Sequence, residues 1–271
     1  MYRGYVVVDS HAHIFPDKIA EKATEGISNF YDLPMKYHGK VSEMLENGMK
    51  AGIDGFLTCS PATTVSQVQS INTFQASCAA AYPMCTAFGT LHPKSTTMEE
   101  DFQQLQKLHL KGIKLHPDFQ NFPIDDPEAY PMYDMIQESG LPILMHMGDS
   151  RTDLSHPARL AVILRQFPRL RVIAAHLGGW DRWQDASEIL KADDRLRFDT
   201  SSSLPFLPVD KSRTFIRHLG AENCFFGVDY PMWDYDEELQ RFFALELSDT
   251  ENRLILSENF YTWMGIEKNT P

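Results

Sequence analysis

Short runs of apolar residues recur along the chain and alternate with stretches of helical periodicity. The runs are Tyr5–Asp9, Gly55–Ser60, Cys85–His92, Gly112–His116, Pro142–Met147, Arg171–Leu177, Leu196–Thr200 and Cys224–Asp229. Apolar runs this short, bounded by turn residues, suit strands buried on both faces. Between them the periodicity predicts helices over Val41–Ala51, near Thr64–Ala81, around Glu128–Ser139 with a stop at Gly140, over about Pro157–Gln166 and near Lys211–Leu219. Strands alternating with helices pair in parallel. Eight such units close into a (β/α)8 TIM barrel of about 250 residues. An open doubly wound sheet would carry a glycine-rich turn after its first strand, and here that turn is rich in histidine. The expectation is a single α/β barrel domain over 1–271. The main exception to short connections is Ile14–Lys40, a stretch suited to a binding loop or lid or to a surface wrap.

The polar residues that end the strands carry the chemistry. His11 and His13 are spaced i, i+2, so on a strand both imidazoles leave from the same side. Of the ten histidines, six (His11, His13, His92, His116, His146 and His176) close a predicted strand, and the eighth run ends in Asp229. In a barrel these ends share the face where catalytic groups gather. Imidazoles with a carboxylate suit zinc while leaving room for a water. His38, His109, His156 and His218 fall in loops or on helices and read as surface or capping groups.

Composition narrows the partners. With 37 acidic against 25 basic residues the net charge is −12, which argues against a phosphate-backbone binder and against a barrel nuclease. Cys59, Cys78, Cys85 and Cys224 form no C-x-x-C pair, so they read as buried thiols of a reducing compartment. No apolar run approaches the roughly 20 residues of a membrane span, and no signal-peptide pattern opens the chain. A cytoplasmic enzyme acting on a small molecule is expected, with no nucleic acid and no membrane as partner.

Asp9-Ser-His-Ala-His-Ile-Phe-Pro16, Gly112-Ile-Lys-Leu-His-Pro117, Ile143-Leu-Met-His146, Ala175-His-Leu-Gly-Gly179 and Phe226-Gly-Val-Asp-Tyr-Pro231, in this order, resemble the amidohydrolase superfamily. More narrowly they resemble the branch that includes aminocarboxymuconate-semialdehyde decarboxylase. Ile255–Gly265 is similar to that branch's C-terminal helix. The resemblance implies the barrel independently of the strand count, and barrels of this branch often pair as homodimers. It implies His11, His13, His146 and Asp229 as ligands of one divalent metal, with His176 beside it as a catalytic group. Such an ion lowers the pKa of its water from roughly 15.7 to about 7. Asp229 would then take that water's proton, and His176 would hydrogen-bond a developing oxyanion. In some branches a carboxylated lysine on the fourth strand bridges two metals. Lys114 occupies that strand, but the decarboxylase-like branch does not use it so, and one ion is expected.

Other residues carry weaker expectations. His116, before Pro117, lines the pocket or steadies the turn, and His92-Pro93 repeats that grammar. Arg151 suits a clamp on a substrate carboxylate or an ordinary ion pair. Trp233 walls the pocket or packs under a helix. Asp9 shares the side of His11 and His13 and suits an orienting partner. Thr200 and Ser201 carry hydroxyls too common at strand ends to weigh. Substrate selection falls to loops such as Ile14–Lys40 and Pro117–Pro127. The leading expectation is a metal-dependent hydrolase of a small-molecule carbon–nitrogen or ester bond. The alternative keeps the site and changes the reaction to non-oxidative decarboxylation of an aromatic or unsaturated acid. A non-catalytic scaffold with structural histidines is the remaining reading.

Overall fold

The computed structural model describes residues 1–191 and 193–267, so the end of the domain expected over 1–271 lies outside the described residues. Among the described residues nine strands follow in order: β1 (Val8–His13), β2 (Gly55–Cys59), β3 (Cys85–Ala87), β4 (Gly89–Thr90), β5 (Ile113–Leu115), β6 (Pro142–Met145), β7 (Arg171–Ala174), β8 (Leu196–Asp199) and β9 (Cys224–Phe225). The eight runs become nine because the third divides at Phe88. By contact the chain forms two compact units. The first comprises Met1–Thr58, Ala81–Thr86 and the chain from Thr200 on; the second comprises Cys59–Ala80 and Ala87–Asp199.

In the first unit β1 starts three residues later than expected and runs through both histidines. The backbone explains this. Ser10 N donates to Phe226 O at 2.9 Å, Asp229 N to His11 O at 2.8 Å and His13 N to Tyr230 O at 2.7 Å. The chain following β9 therefore lies along β1 and keeps it extended past its apolar start. Ile14–Lys40 is not an open loop, since it contains a helix over Asp17–Tyr31. That helix buries only Ala20 and Thr24, too narrow a stripe for hydrophobic periodicity to reveal. Beyond it the chain returns onto the turn after Asp229. Lys36 N and Tyr37 N donate to Pro231 O at 3.1 and 3.0 Å, and Tyr37 stacks on Tyr230 with centroids 5.4 Å apart.

In the second unit β4 to β8 pair consecutively and in parallel, with Gly89, Ile113, Ile143, Val172 and Leu196 forming one continuous row. The same register aligns Leu115, Met145, Ala174 and Phe198. One step further, His116, His146, Ala175 and Asp199 come level at the carboxyl ends. The expected helices appear at Tyr130–Ser139, closed by Gly140 in the left-handed region, and at Pro157–Gln166. His156 caps the latter by accepting from Ala158 N, as its expected capping role requires. Among the described residues no helix is long and apolar enough to cross a membrane. The four cysteines are buried without a disulfide.

Candidate active site

The first unit gathers His11, His13 and Asp229. The two Nε2 atoms stand 3.2 Å apart, and Asp229 Oδ1 lies 3.6 Å from the first and 3.5 Å from the second. Two donors bonded at 2.0–2.1 Å to one tetrahedral ion are about 3.3–3.4 Å apart. All three separations fall close to that edge, so this donor set fits a divalent metal. The ring planes meet at 48°, which lets both in-plane lone pairs aim at one point.

Hydroxyl groups hold the far side of His11 and of Asp229. Ser201 Oγ is 2.9 Å from His11 Nδ1, which leaves Nε2 for an ion. Ser202 Oγ donates to Asp229 Oδ2 at 2.5 Å and accepts from Trp233 Nε1 at 2.8 Å. Gly227 leaves room for Ser201 beside His11, because a Cβ there would meet Ser201 Cβ at 3.2 Å and His11 Cβ at 3.3 Å. Asp9 works on the backbone, accepting from His11 N at 3.0 Å and from Val228 N at 2.8 Å. Nothing local in the sequence marks Ser202, and a hydroxyl such as that of Ser201 is common at a strand end. Their signal, a run of hydroxyl residues Thr200–Ser203 directly after a strand, is a weak one.

The second unit gathers His146, His176, His116 and Asp118. His146 Nδ1 and His176 Nε2 are 3.0 Å apart and share one hydrogen. The main chain around His176 is fixed by Asp199 Oδ1, which accepts from His176 N at 2.9 Å, and by Trp183, whose indole donates to His176 O at 3.0 Å. His176 and Asp229, the two residues expected to be catalytic, have φ of 61° and 67°. Non-glycine residues in this region cost about 1–3 kcal/mol and concentrate at functional sites.

His116 is sandwiched between Phe119 and His146, with centroids at 3.8 and 3.9 Å and planes within 6° of parallel. Its Nδ1 accepts from Phe119 N at 3.3 Å, so the turn-steadying role is realised. His92 repeats it, accepting from Lys94 N at 3.2 Å; burial, with nearby Lys94, lowers its pKa. Asp118, a residue the sequence did not suggest, lies 3.7 Å from His146 Nε2. Burial raises its carboxyl pKa; hydrogen bonds from Ser155 and Thr152 oppose the rise and Asp149 adds to it.

Ligand atoms of His116, Asp118 and His146 fall within 4.8 Å of one another. Parallel rings nevertheless cannot aim in-plane lone pairs at one ion. An ion between them would stand more than about 1.5 Å out of each plane, against a bond of about 2 Å. We therefore read this trio as a stack and not as a metal site. Lys114 is fully buried on β5, with its carbonyl accepting from Thr90 Oγ1 at 2.9 Å. Arg151 turns its fork onto Asp149, with Nε and Nη2 at 2.9 and 2.7 Å from the two carboxylate oxygens. Trp233 packs edge-to-face on Phe206 at 5.6 Å.

A family model described as Amidohydrolase matches residues 8–259. No curated protein matches the chain. Among solved structures it is similar to 5-carboxyvanillate decarboxylase LigW from Sphingomonas paucimobilis, at 16% identity and a TM-score of 0.75, covering 97% of this chain and 100% of that one. An uncharacterized TIM-barrel protein from Bordetella bronchiseptica matches at 19% identity and 0.76, covering 96% and 99%. A dihydroxybenzoic acid decarboxylase from Polaromonas sp. JS666, with bound manganese and the inhibitor 2-nitroresorcinol, matches at 13% and 0.71, covering 96% and 97%. At these identities the likeness is one of fold, and that fold is the (β/α)8 TIM barrel expected from the strand count.

Proposed function

The chain belongs to the amidohydrolase family, and we propose that it is a metal-dependent decarboxylase of an aromatic or unsaturated carboxylic acid. The sequence led with hydrolysis of a carbon–nitrogen or ester bond. Two of the similar structures named above are decarboxylases, which favours the alternative. The observation that carries metal dependence is the 3.2–3.6 Å triangle of His11, His13 and Asp229. Zinc suits these donors, and manganese occupies the Polaromonas enzyme.

Decarboxylation replaces a carbon–carboxylate bond by a carbon–hydrogen bond. Carbon dioxide leaves, its bonding pair stays on the substrate carbon, and one proton must reach that carbon. A bound divalent ion supplies positive charge that polarises a substrate oxygen. His11, His13 and Asp229 would hold it, with the orientation of the His11 ring set by Ser201. His176 would deliver the proton from its other ring nitrogen, since its Nε2 is engaged by His146 Nδ1 at 3.0 Å. The strained main chain at His176, pinned by Asp199 and Trp183, keeps the ring at that distance.

The test is turnover by the manganese- or zinc-loaded protein. Hydroxybenzoic, carboxyvanillic and unsaturated dicarboxylic acids form one panel; amides, esters and lactones form the other. Stoichiometric carbon dioxide from a member of the first panel is expected. Hydrolysis in the second panel without carbon dioxide from the first would return the assignment to hydrolysis.

A further inference from the structure

The two oxygens of Asp229 are treated differently. Oδ1 faces His11 Nε2 and His13 Nε2 at 3.6 and 3.5 Å. Oδ2 is 2.5 Å from the hydroxyl of Ser202. That hydroxyl has a single proton and two further neighbours, Trp233 Nε1 at 2.8 Å and Met232 Sδ at 3.6 Å. An indole N–H can only donate, so Ser202 Oγ is its acceptor and must direct its own proton elsewhere. A carboxylate oxygen at 2.5 Å outcompetes a thioether, a weak acceptor, at 3.6 Å. The chain of donors therefore has one direction, from Trp233 through Ser202 to Asp229.

The start of that chain is itself held. Trp233 packs edge-to-face on Phe206, and the Arg241 guanidinium sits 6.0 Å from its ring centroid. Arg241 is tied by hydrogen bonds to Glu238 at 2.5 Å and Glu237 at 3.1 Å. Ser202 and Asp229 both adopt left-handed backbone, with φ of 47° and 67°, a conformation that persists where surroundings enforce it.

We propose that Trp233 and Ser202 are positioning residues of the metal centre: together they lock the Asp229 side chain so that Oδ1 is the oxygen presented to the ion. The inference rests on the ligand role proposed for His11, His13 and Asp229. It gives the indole N–H of Trp233 a task inside the protein, separate from the pocket wall expected from its sequence position.

The experiment is competition for Mn2+ between a chelator and the full-length protein, comparing wild type, Ser202→Ala, Ser202→Thr, Trp233→Phe, the double variant Ser202→Ala/Trp233→Phe, and His11→Ala. Losing an outer partner of a metal ligand typically weakens affinity about 10–100-fold. Ser202→Ala and Trp233→Phe are each expected to weaken binding within that range, the second less because the hydroxyl survives. Ser202→Thr keeps the hydroxyl but is β-branched at a left-handed φ, so it should bind more tightly than Ser202→Ala without reaching wild type. Because the two residues act in series, the double variant should bind no more weakly than Ser202→Ala alone.

Wild-type affinity in both single variants, or losses that multiply in the double, would overturn the inference. Trp233→Phe keeps the ring packing, so it decides the matter if Ser202→Ala does not fold. His11→Ala separates the two levels. If wild type binds no ion, or His11→Ala binds like wild type, the ligand assignment itself falls. If His11→Ala loses the ion while Trp233→Phe and Ser202→Ala keep it, only the positioning role falls.

Discussion

The two units both carry histidines at strand ends, yet they arrange them in opposite ways. In the first, the rings of His11 and His13 are tilted by 48° and their Nε2 atoms converge to 3.2 Å with a carboxylate closing the triangle. In the second, His116 and His146 lie face to face, 6° from parallel, and His146 meets His176 edge-on through a shared hydrogen. Lone pairs that converge make a cation site, whereas stacked rings fix one another's planes. The first arrangement is built to coordinate, and the second to orient a ring and carry a proton.

The sharpest way to break this distinction is to exchange one residue from each side and measure metal and turnover separately. Asp229→Asn keeps the side chain's shape and removes the charge. Its metal retention should fall by more than the ~10–100-fold that outer partners cost, and turnover with it. His176→Gln should instead keep the metal while kcat falls about 10²–10⁴-fold, the range for losing a proton-transfer group. Inductively coupled plasma analysis alongside steady-state kinetics reads both quantities. Metal loss in His176→Gln would place that histidine among the ligands and erase the difference between the two clusters.

How much of this was legible in the chain follows from which forces each element depends on. The strands of the second unit, such as Ile113–Leu115 and Pro142–Met145, are buried on both faces and announce themselves as apolar runs. The carboxyl-end placement of His116 and His146 could be read with them. The expected run Tyr5–Asp9 stops before Ser10 and His11 because these are polar. They stay in the strand through hydrogen bonds to Phe226–Tyr230, more than 200 positions away, and no local pattern encodes that pairing. The helix at Asp17–Tyr31 was missed because so little of it is buried. The Ser201 and Ser202 hydroxyls were invisible for a different reason. A serine's partner is set by tertiary approach, for Ser201 the room left beside His11 by Gly227, and not by its neighbours in sequence.

The surroundings of the first cluster can also be tested through pH. Glu238, on the helix Tyr235–Phe243, is fully buried with one oxygen on Arg241 and no hydrogen-bond partner for Oε2 among the described residues. Burial raises its pKa from 4.5 to about 8; Arg241 opposes that rise and Glu237 and Asp229 add to it. The folded state thus keeps a proton that the unfolded chain releases. Its contribution makes stability fall as pH rises from about 4.5 to about 8 and then level off. Glu238→Gln should remove that slope. Chemical denaturation should show it equal to wild type near pH 4 and more stable at pH 9, by on the order of a few kcal/mol. A variant with the wild-type slope would show that Arg241 already keeps Glu238 ionised.

The finest test concerns His116, where stacking and capping are carried by different atoms of one ring. Its Nδ1 accepts from Phe119 N, while its faces pack on Phe119 and His146. His116→Asn supplies another good N-cap acceptor and abolishes the stack; His116→Phe keeps the stack and abolishes the cap. Loss of a cap costs typically ~1 kcal/mol, so His116→Phe should lower stability by about that amount with little change in turnover. His116→Asn should do the reverse, preserving stability and lowering kcat a few-fold as His146 gains freedom to rotate. Neither should alter metal stoichiometry, since the lone pair on Nδ1 is engaged by the main chain and the ring plane is turned away from any ion shared with His146. Loss of an ion in either variant would mean that the rings part from their parallel arrangement in the loaded protein, and the second cluster would then belong to the coordinating kind.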